Sequence, residues 1–371
     1  MPTATRTQLT RLRLLSQRIE RPDSPTPGLD TAEASPVDVV RWMTAMQAQD
    51  LPGVKWSVGL RAEGSTLTTV DDALNSGAVV RSWPFRGTLH LVAGEDLGWK
   101  LDLTAARMVA GARTRHRQLG LDDTVFEAAR AVAVESLAGG VALTRDQLFA
   151  RFAEAGIATD TNRGSNLLWY LAHTKTICFG PMRGSAQALV LLDEWVTAPR
   201  SLDRDESLGE LATRYFRSHG PATLKDFLWW SKLLVPEAKR GLEIAADRLE
   251  TVDYDGQTYW LAEGLQGASA SRGSRSSVDL LPGFDEYLLG YTDRRAALDE
   301  QYSQRIVPGN NGIFLPTVVS GGIVVGTWSR TATSTQVAVT PEPFAEFSSA
   351  QTGGIRKRAS RYADFLGREL R

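Results

Sequence analysis

Apolar positions along the chain follow two rhythms in a repeated order: helical spacing more than once, then two strand-like runs parted by a glycine or proline turn. The order occurs three times. In the first pass an N-terminal helix over Leu9 to Ile19 and a Pro/Ser-rich link lead to Val37 to Met46. There Val39, Val40, Met43 and Met46 share a helical face, and Ser35 with Pro36 supplies the start signal. After Pro52-Gly53 the pattern predicts a helical Val54 to Leu60 and a helix over Val70 to Ser76 stopped by Gly77. A hairpin over Ala78 to Val92 follows, turning within Trp83-Pro84-Phe85-Arg86-Gly87.

The second pass has helices near Asp102 to Gln118 and Thr124 to Ser136, then a helix opened by Thr144, with Gln147 at the capping-box position, and ended by Gly156. A further helix begins at Thr161 to Asn166, and Thr176 to Phe179 with Ala188 to Leu192 reads as a hairpin around Gly180-Pro181. In the third pass come helices over Leu208 to Ser218, from Thr223, and from Pro236. Strands Thr251 to Tyr254 and Thr258 to Leu261 then flank Asp255-Gly256. Helix, helix and a two-strand wing is the winged-helix plan, repeated at roughly 80 to 100 residues. The tail differs, with short runs rich in Val, Ile and aromatics at Asp279 to Leu289, Gly312 to Val319, Ile323 to Trp328 and Gln336 to Val339, closed by a basic helix over Arg356 to Leu370. The expectation is an α+β protein of three tandem winged-helix units, 1–98, 99–200 and 201–270, and a small β-rich C-terminal domain with a terminal helix over 277–371. The competing reading is an ordinary α+β chain whose elements alternate by chance.

Composition narrows the chemistry. With 371 residues, 42% hydrophobic and 23% charged, the chain is long enough for several units with sizeable cores, and disordered and collagen-like classes are excluded. Its single cysteine, Cys178, cannot form an internal disulfide, and His90, His116, His173 and His219 show no metal-ligand spacing, so no metal and no cofactor are expected. No run of ~18 apolar residues or signal-peptide h-region occurs, which predicts a cytoplasmic protein with no membrane partner. Net charge is −1, yet 35 of the 42 basic residues are arginine. Arginine suits bidentate phosphate and base recognition, and the same bias follows from a GC-rich genome.

Walker-type phosphate loops and Gly-x-Ser-x-Gly elbows are absent, and Cys178 sits in a strand-like Thr-Ile-Cys-Phe run. Nucleotide hydrolysis and Ser or Cys nucleophilic catalysis are therefore unsupported. The informative stretch is Gln47-Ala48-Gln49-Asp50-Leu51-Pro52-Gly53. Glutamines at i and i+2 diverge by about 200° on an α-helix but face the same side in extended backbone, which the following Pro-Gly favours. Two neutral amides and a carboxylate could then converge on one water or base; the plainer alternative is a polar helix end wetted by solvent. His90, between Leu89 and Leu91, either points from a strand into a cleft or is an internally satisfied histidine.

Four phrases carry a resemblance: Gln47 to Arg61, Arg81-Ser82-Trp83-Pro84-Phe85-Arg86-Gly87-Thr88-Leu89-His90, Leu281-Pro282-Gly283-Phe284-Asp285-Glu286-Tyr287-Leu288-Leu289-Gly290, and Asn311 to Thr317 through Val325-Gly326-Thr327-Trp328. Together, over about residues 8 to 345, they resemble the AlkZ/YcaQ winged-helix DNA glycosylase family. The resemblance implies tandem winged helices and a β domain curved around duplex DNA, with removal of N7-alkylated guanine, including interstrand crosslinks and bulky natural-product adducts. It also implies a Gln-x-Gln catalytic motif, which Gln47 and Gln49 match in the AlkZ-like branch; the intervening Ala48 is smaller than the usual apolar residue. Asp50 and His90 are the expected supporting residues. No lysine but Lys55 lies near the motif, so the enzyme implied is monofunctional.

The expected partner is double-stranded DNA carrying alkylated guanine, met by a monomer in the nucleoid. Candidate DNA contacts are Arg86, then Arg113, Arg115 and Arg117 beside Arg107 and His116 on one helix, and Asn162 and Arg163 at the start of another. Arg294, Arg295, Arg305, Asn310 and Asn311 surround an expected hairpin near Pro308-Gly309. Each cluster could instead be a plain solvated face. A reading from another class, a non-catalytic winged-helix transcription regulator, is weakened by the lack of a dimerisation helix or effector domain; a structural interaction protein is the third.

Overall fold

Side-chain caps start the helices, at Ser35, Thr144 and Thr223 where the sequence places them and at Thr5 and Ser348 ahead of the expected Leu9 and Arg356. Thr5 with Gln8, Ser35 with Asp38, Thr144 with Gln147, Thr223 with Asp226 and Ser348 with Gln351 each close a reciprocal capping box. The computed structural model describes residues 2–21, 34–268 and 277–371; most of the Pro/Ser-rich link, residues 22–33, lies outside the described residues. In chain order the elements begin with α1 (Arg6–Ser16), α2 (Pro36–Met43), β1 (Met46–Gln47), α3 (Leu51–Arg61) and α4 (Leu67–Asn75). Next come β2 (Val79–Phe85), β3 (Thr88–Ala93), α5 (Leu97–Gln118), α6 (Asp123–Leu137), α7 (Arg145–Glu154), α8 (Arg163–His173), β4 (Ile177–Arg183), β5 (Ala186–Leu191) and α9 (Leu192–Trp195). The chain continues through α10 (Arg204–His219), α11 (Leu224–Ser231), α12 (Val235–Ala245), β6 (Leu249–Tyr254), β7 (Gln257–Ala262) and α13 (Leu265–Ala268). It ends with β8 (Val278–Leu281), α14 (Glu286–Leu289), α15 (Ser303–Ile306), β9 (Thr317–Ser320), β10 (Ile323–Ala332), β11 (Gln336–Pro343), α16 (Ser349–Leu366) and β12 (Glu369–Leu370).

These elements form two compact units, one of Asp71–Ser207 and one of Met1–Val70 with Leu208–Arg371, so the chain leaves the larger unit and returns to it. The cuts fall elsewhere than at 98/99 and 200/201. In the smaller unit β2–β3 and β4–β5 are the two expected hairpins, and they join through Arg81 opposite Phe179 into one antiparallel sheet in the order β3-β2-β4-β5. The first two wings therefore do not close off separate units. Arg81 stacks over Phe179 at 5.1 Å and Trp83 lies 5.4 Å from the same ring, which seals the junction. Both hairpins have an irregularity at a proline, Pro84 between Ser82 and Phe85, and Pro181 between Phe179 and Met182. Proline has no N–H to give the ladder, so the strand bends there and continues. The second turn consequently lies at Gly184, with φ +64°, and not at Gly180-Pro181. Leu148, Phe152, Leu167, Leu171 and Ile177 lead the core packed on this sheet, with Cys178 fully buried.

In the larger unit the third hairpin, β6–β7, stands as its own two-stranded sheet about the positive-φ pair Asp255-Gly256. The N-terminal helix belongs with it: Leu9, Leu12 and Leu15 share a core with Val252, Tyr259 and Leu261. That placement departs from the expected 1–98 unit, and its cause is the apolar stripe of α1, which Val252, Tyr259 and Leu261 cover. The C-terminal sheet runs β12-β11-β10-β9-β8, β12 pairing parallel and the rest antiparallel. Residues 286–289, expected as strand, are helical because Asp285 caps them through the Tyr287 N–H. The segment near Pro308-Gly309 is a 3₁₀ turn, not a hairpin.

His173, at the end of α8, gives this fold an acid dependence. Burial lowers its pKa to about 4, only partly offset by the bond between its Nδ1 and the Trp169 carbonyl at 2.8 Å. Because the folded value lies below the unfolded ~6.5, its contribution is present above pH 6.5 and is lost as pH falls toward 4. Between pH 7 and pH 4 the wild type should lose up to about 3 kcal/mol more than His173→Gln, as measured by chemical denaturation; parallel losses would mean that His173 is not the group that titrates.

Candidate active site

The Gln47-Ala48-Gln49 stretch is extended because α2 stops at Met43. Thr44 adopts φ +70°, the chain straightens into β1, and α3 restarts behind Asp50 with Pro52 in its first turn. In extended backbone the two glutamines face the same side, and Gln47 Nε2 donates to Gln49 Oε1 at 2.5 Å. Gln47 is 6% exposed, Ala48 is fully buried and Gln49 is exposed, so the pair reaches from the interior to the surface. Asp50 stands beside it, 3.5 Å from Arg330 Nη2.

What holds this segment comes from far along the chain. Glu286, 1% exposed, accepts the Gln47 main-chain N–H on Oε1 at 3.0 Å and the Trp230 indole N–H on Oε2 at 3.0 Å. His219 Nε2 lies 3.5 Å from the same Oε2, its ring stacked 4.8 Å from Tyr215. The neighbouring Asp285 takes both arms of Arg61, at 2.8 and 2.9 Å, and the Ser57 hydroxyl at 2.6 Å. Arg61 and Ser57 lie on α3, so the two carboxylates of one dipeptide grip both the glutamine strand and the helix after it. The other face of α3 meets α16, where Trp56 packs 4.9 Å from Tyr362 and 5.3 Å from Phe365. Asp285 and Glu286 stand in one of the four phrases that carry the family resemblance, but the sequence assigns them no site role. Their signal was two adjacent carboxylates inside an apolar run, Leu280-Leu281 before and Tyr287-Leu288-Leu289 after.

His90 belongs to the smaller unit and is fully buried. Its Nδ1 lies 2.8 Å from the Thr88 carbonyl and its Nε2 3.0 Å from Arg86 Nη2. A neutral ring with the proton on Nδ1 satisfies both contacts, so His90 and Arg86 tie the β2–β3 turn together.

The structure sorts the remaining candidates by what their side chains already hold. Arg113 and Arg117, one turn apart on α5, line a concavity of about 610 Å³ with His116 and the Phe126–Tyr170 stack, whose ring centroids are 3.7 Å apart. Arg115 is exposed on the same helix. Arg163 donates to the Leu119, Gly120 and Ala158 carbonyls, which makes it a staple for the end of α5. Asn162 sits exposed at φ +70° before α8 and makes no side-chain cap bond. Arg294 is half-buried, donating to the Leu288 carbonyl and lying over Phe314 at 4.9 Å; Arg295 pairs with Asp293 at 2.6 Å. Arg305 donates to the Pro343 carbonyl over the Phe344 ring, Asn310 accepts from Gln304, and Asn311 accepts from the Ile313 N–H. One arginine group went unnoticed in the sequence: Arg18, Arg41, Arg214, Arg217 and Arg248 line one concavity with Trp42, Arg18 and Arg217 lying over its ring.

A pair of amides on a rigid extended segment is not an arrangement for nucleophilic attack by protein, but it can orient water. The profile of the family described as DNA glycosylase AlkZ-like matches residues 40–365. The chain belongs to that family. It is also similar to an interstrand DNA cross-link repair glycosylase of Streptomyces sahachiroi, 27% identical over 328 residues that span 85% of this chain and 86% of that protein. The solved structure of Streptomyces sahachiroi DNA glycosylase AlkZ matches with a TM-score of 0.78 at 26% identity, covering 100% of this chain and 99% of that one. As an AlkZ-like DNA glycosylase the chain is an enzyme, and the α+β architecture is that of the family; the regulator reading falls away.

The Glu286 hydrogen bonds carry a test. Glu286→Ala leaves the Gln47 and Trp230 N–H groups buried without their acceptor, at about 1–3 kcal/mol each, so the variant should melt earlier. Where it is folded it should bind DNA as the wild type does and excise more slowly, because the Glu286 anchor of the glutamine strand is then gone. Wild-type excision rates in the folded variant would show that Glu286 serves folding alone.

Proposed function

We propose that the enzyme is a monofunctional DNA glycosylase that removes N7-alkylated guanine from duplex DNA by water attack at the glycosidic bond, with Gln47 and Gln49 as its catalytic residues. The observation that carries this reading is the Gln47–Gln49 hydrogen bond on a strand fixed by Glu286. Guanine alkylated at N7 is cationic and leaves readily: the C1′–N9 bond breaks with its electron pair going to N9, and positive charge develops at the sugar. A strong base is not required. Water adds its oxygen to C1′ and releases a proton to solvent, giving free alkylguanine and an abasic site. The side-chain carbonyls orient that water and the amide dipoles face the developing charge, which is catalysis by position and electrostatics. Lys55, the lysine nearest the motif in sequence, is buried within α3, which suits hydrolysis without a lysine imine.

The name of the Streptomyces relative, an interstrand cross-link repair glycosylase, supports extending the substrate to crosslinked duplex. Gln49 is exposed, so the pair meets its substrate at the surface. Asp50, held by Arg330, is a supporting residue beside the pair. The three helix-and-hairpin passes are read as winged helices that present this segment and the arginines to a monomer's DNA.

Single-turnover release of 7-methylguanine tests the site. Gln47→Ala and Gln49→Ala should each lower it by roughly 10²-fold or more, corresponding to about 2.7–4 kcal/mol for a positioned electrostatic group. Thermal melting of Gln49→Ala should stay near wild type, since its side chain is exposed; Gln47 is buried, so its variant should also lose about 1 kcal/mol of stability. If both variants excise at the wild-type rate, the pair is not catalytic. DNA affinity should fall steeply with salt, by about 0.9 in log–log slope for each phosphate neutralised; a flat dependence would exclude an arginine-based DNA interface.

A further inference from the structure

Within the larger unit, the end of α1, helix α2, helix α10 and the turn before β6 enclose a concavity of about 390 Å³. Arg18, Arg41, Arg214, Arg217 and Arg248 line it around Trp42. Among the described residues two carboxylates share the lining, Asp38 paired with Arg41 at 3.0 Å and Glu210 with Arg214 at 2.7 Å. Positive charge is therefore in excess around the concavity. Trp42 orients two of the guanidiniums. Its indole N–H is fixed to the Ser16 carbonyl at 2.7 Å, and the Arg18 and Arg217 guanidiniums lie 4.4 and 5.2 Å from its ring centre. Arg18 holds this place from a left-handed backbone, φ +55°, a conformation that costs an arginine energy and persists where the surroundings fix it. Burial lowers the Arg217 pKa, and Arg214 and Arg248 push it the same way against Glu210. The concavity thus concentrates like charge that a bound anion would relieve.

We propose that this concavity is a phosphate site, which takes a backbone phosphodiester of the DNA on which the enzyme acts. Guanidinium forks match the oxygens of a phosphate two at a time, and several around one concavity suit a tetrahedral anion better than a planar carboxylate. The position favours DNA over a free anion. Trp42 precedes the last residue of α2, and the chain reaches Gln47 five residues later, at most about 17 Å away at full extension. That is about five base-pair steps at 3.4 Å each. A phosphate held here would set the register of the duplex against the glutamine pair through one short segment, itself anchored by Glu286. The proposal rests on the glycosylase reading above for its substrate and assigns the site a role that the Gln47–Gln49 pair does not have.

The test is DNA binding by fluorescence polarisation between 50 and 200 mM salt, on undamaged duplex and on duplex containing 7-methylguanine, for the wild type, the Arg217→Ala/Arg248→Ala double variant and the Arg217→Lys/Arg248→Lys pair. The alanine pair should bind both duplexes roughly tenfold more weakly or worse, with the salt slope smaller by about 0.9 for each phosphate no longer neutralised. The lysine pair should recover the slope. Arg217 is half-buried, so Arg248→Glu, at an exposed position, supplies a variant that keeps its fold and should repel DNA on its own. Unchanged affinity and slope in the alanine pair and in Arg248→Glu would overturn the site, as would weaker binding at an unchanged slope that lysine does not restore. The readouts separate the two readings: 7-methylguanine release by a wild type whose arginine variants bind normally removes the phosphate site alone, and a reduced slope in the variants of a protein that releases no base removes the substrate assignment alone.

Discussion

The Asp285-Glu286 dipeptide governs the geometry of the larger unit. Each carboxylate is almost completely removed from water, a transfer that costs several kcal/mol per ion unless partners replace the lost hydration. They do so here. Asp285 receives two arms of Arg61, the Ser57 hydroxyl and the Tyr287 N–H, while Arg61 also reaches the Gln17 carbonyl and side chain. Glu286 receives the Gln47 and Trp230 N–H groups. Such a pair adds little net stability over apolar packing, but once formed it tolerates no missing member, and so it fixes positions sharply. The position fixed is that of the glutamine strand and the helix that follows it.

This arrangement explains how a site without a strong base can be built beside a buried acid. The acid acts through the main chain: Glu286 holds the Gln47 N–H, while the buried Gln47 side-chain amide donates to the exposed Gln49. In the reaction proposed above, whose leaving group is already cationic, neutral amides would orient water without adding charge against DNA phosphates. Aromatic groups close the rear of the site, with Trp230, Tyr215 and His219 on one side of Glu286 and Trp56, Tyr362 and Phe365 around α3. The stiffness of both sides comes from packing of large flat side chains, which leaves few alternative rotamers.

Charge in this enzyme is local. A net charge of −1 conceals a concavity that, among the described residues, sets five guanidiniums against two carboxylates, and a second on α5 where Arg113 and Arg117 line the wall beside an aromatic stack. DNA affinity in a nearly neutral protein must come from such concentrations, since field and counterion release depend on charge within about a Debye length of the phosphate and not on the total.

Local chemistry was legible in the sequence. Capping residues placed the helix starts, Asp255-Gly256 placed a turn, and Pro52 after a Gln-x-Gln step announced that the two amides face the same side, because each of these depends on neighbours within a few residues. Tertiary structure alone decided the rest. Two hairpins ~100 residues apart join at the single pair Arg81–Phe179, α1 packs on the third hairpin, and Glu286 meets Gln47 across 239 residues. No periodicity encodes such partners, since an apolar stripe or a carboxylate looks the same whichever surface covers it. The arginines show this most plainly. Arg163, Arg294 and Arg305 reach backbone carbonyls, while Arg18 and Arg217 gather on Trp42, and a guanidinium in a sequence carries no mark of which it will meet.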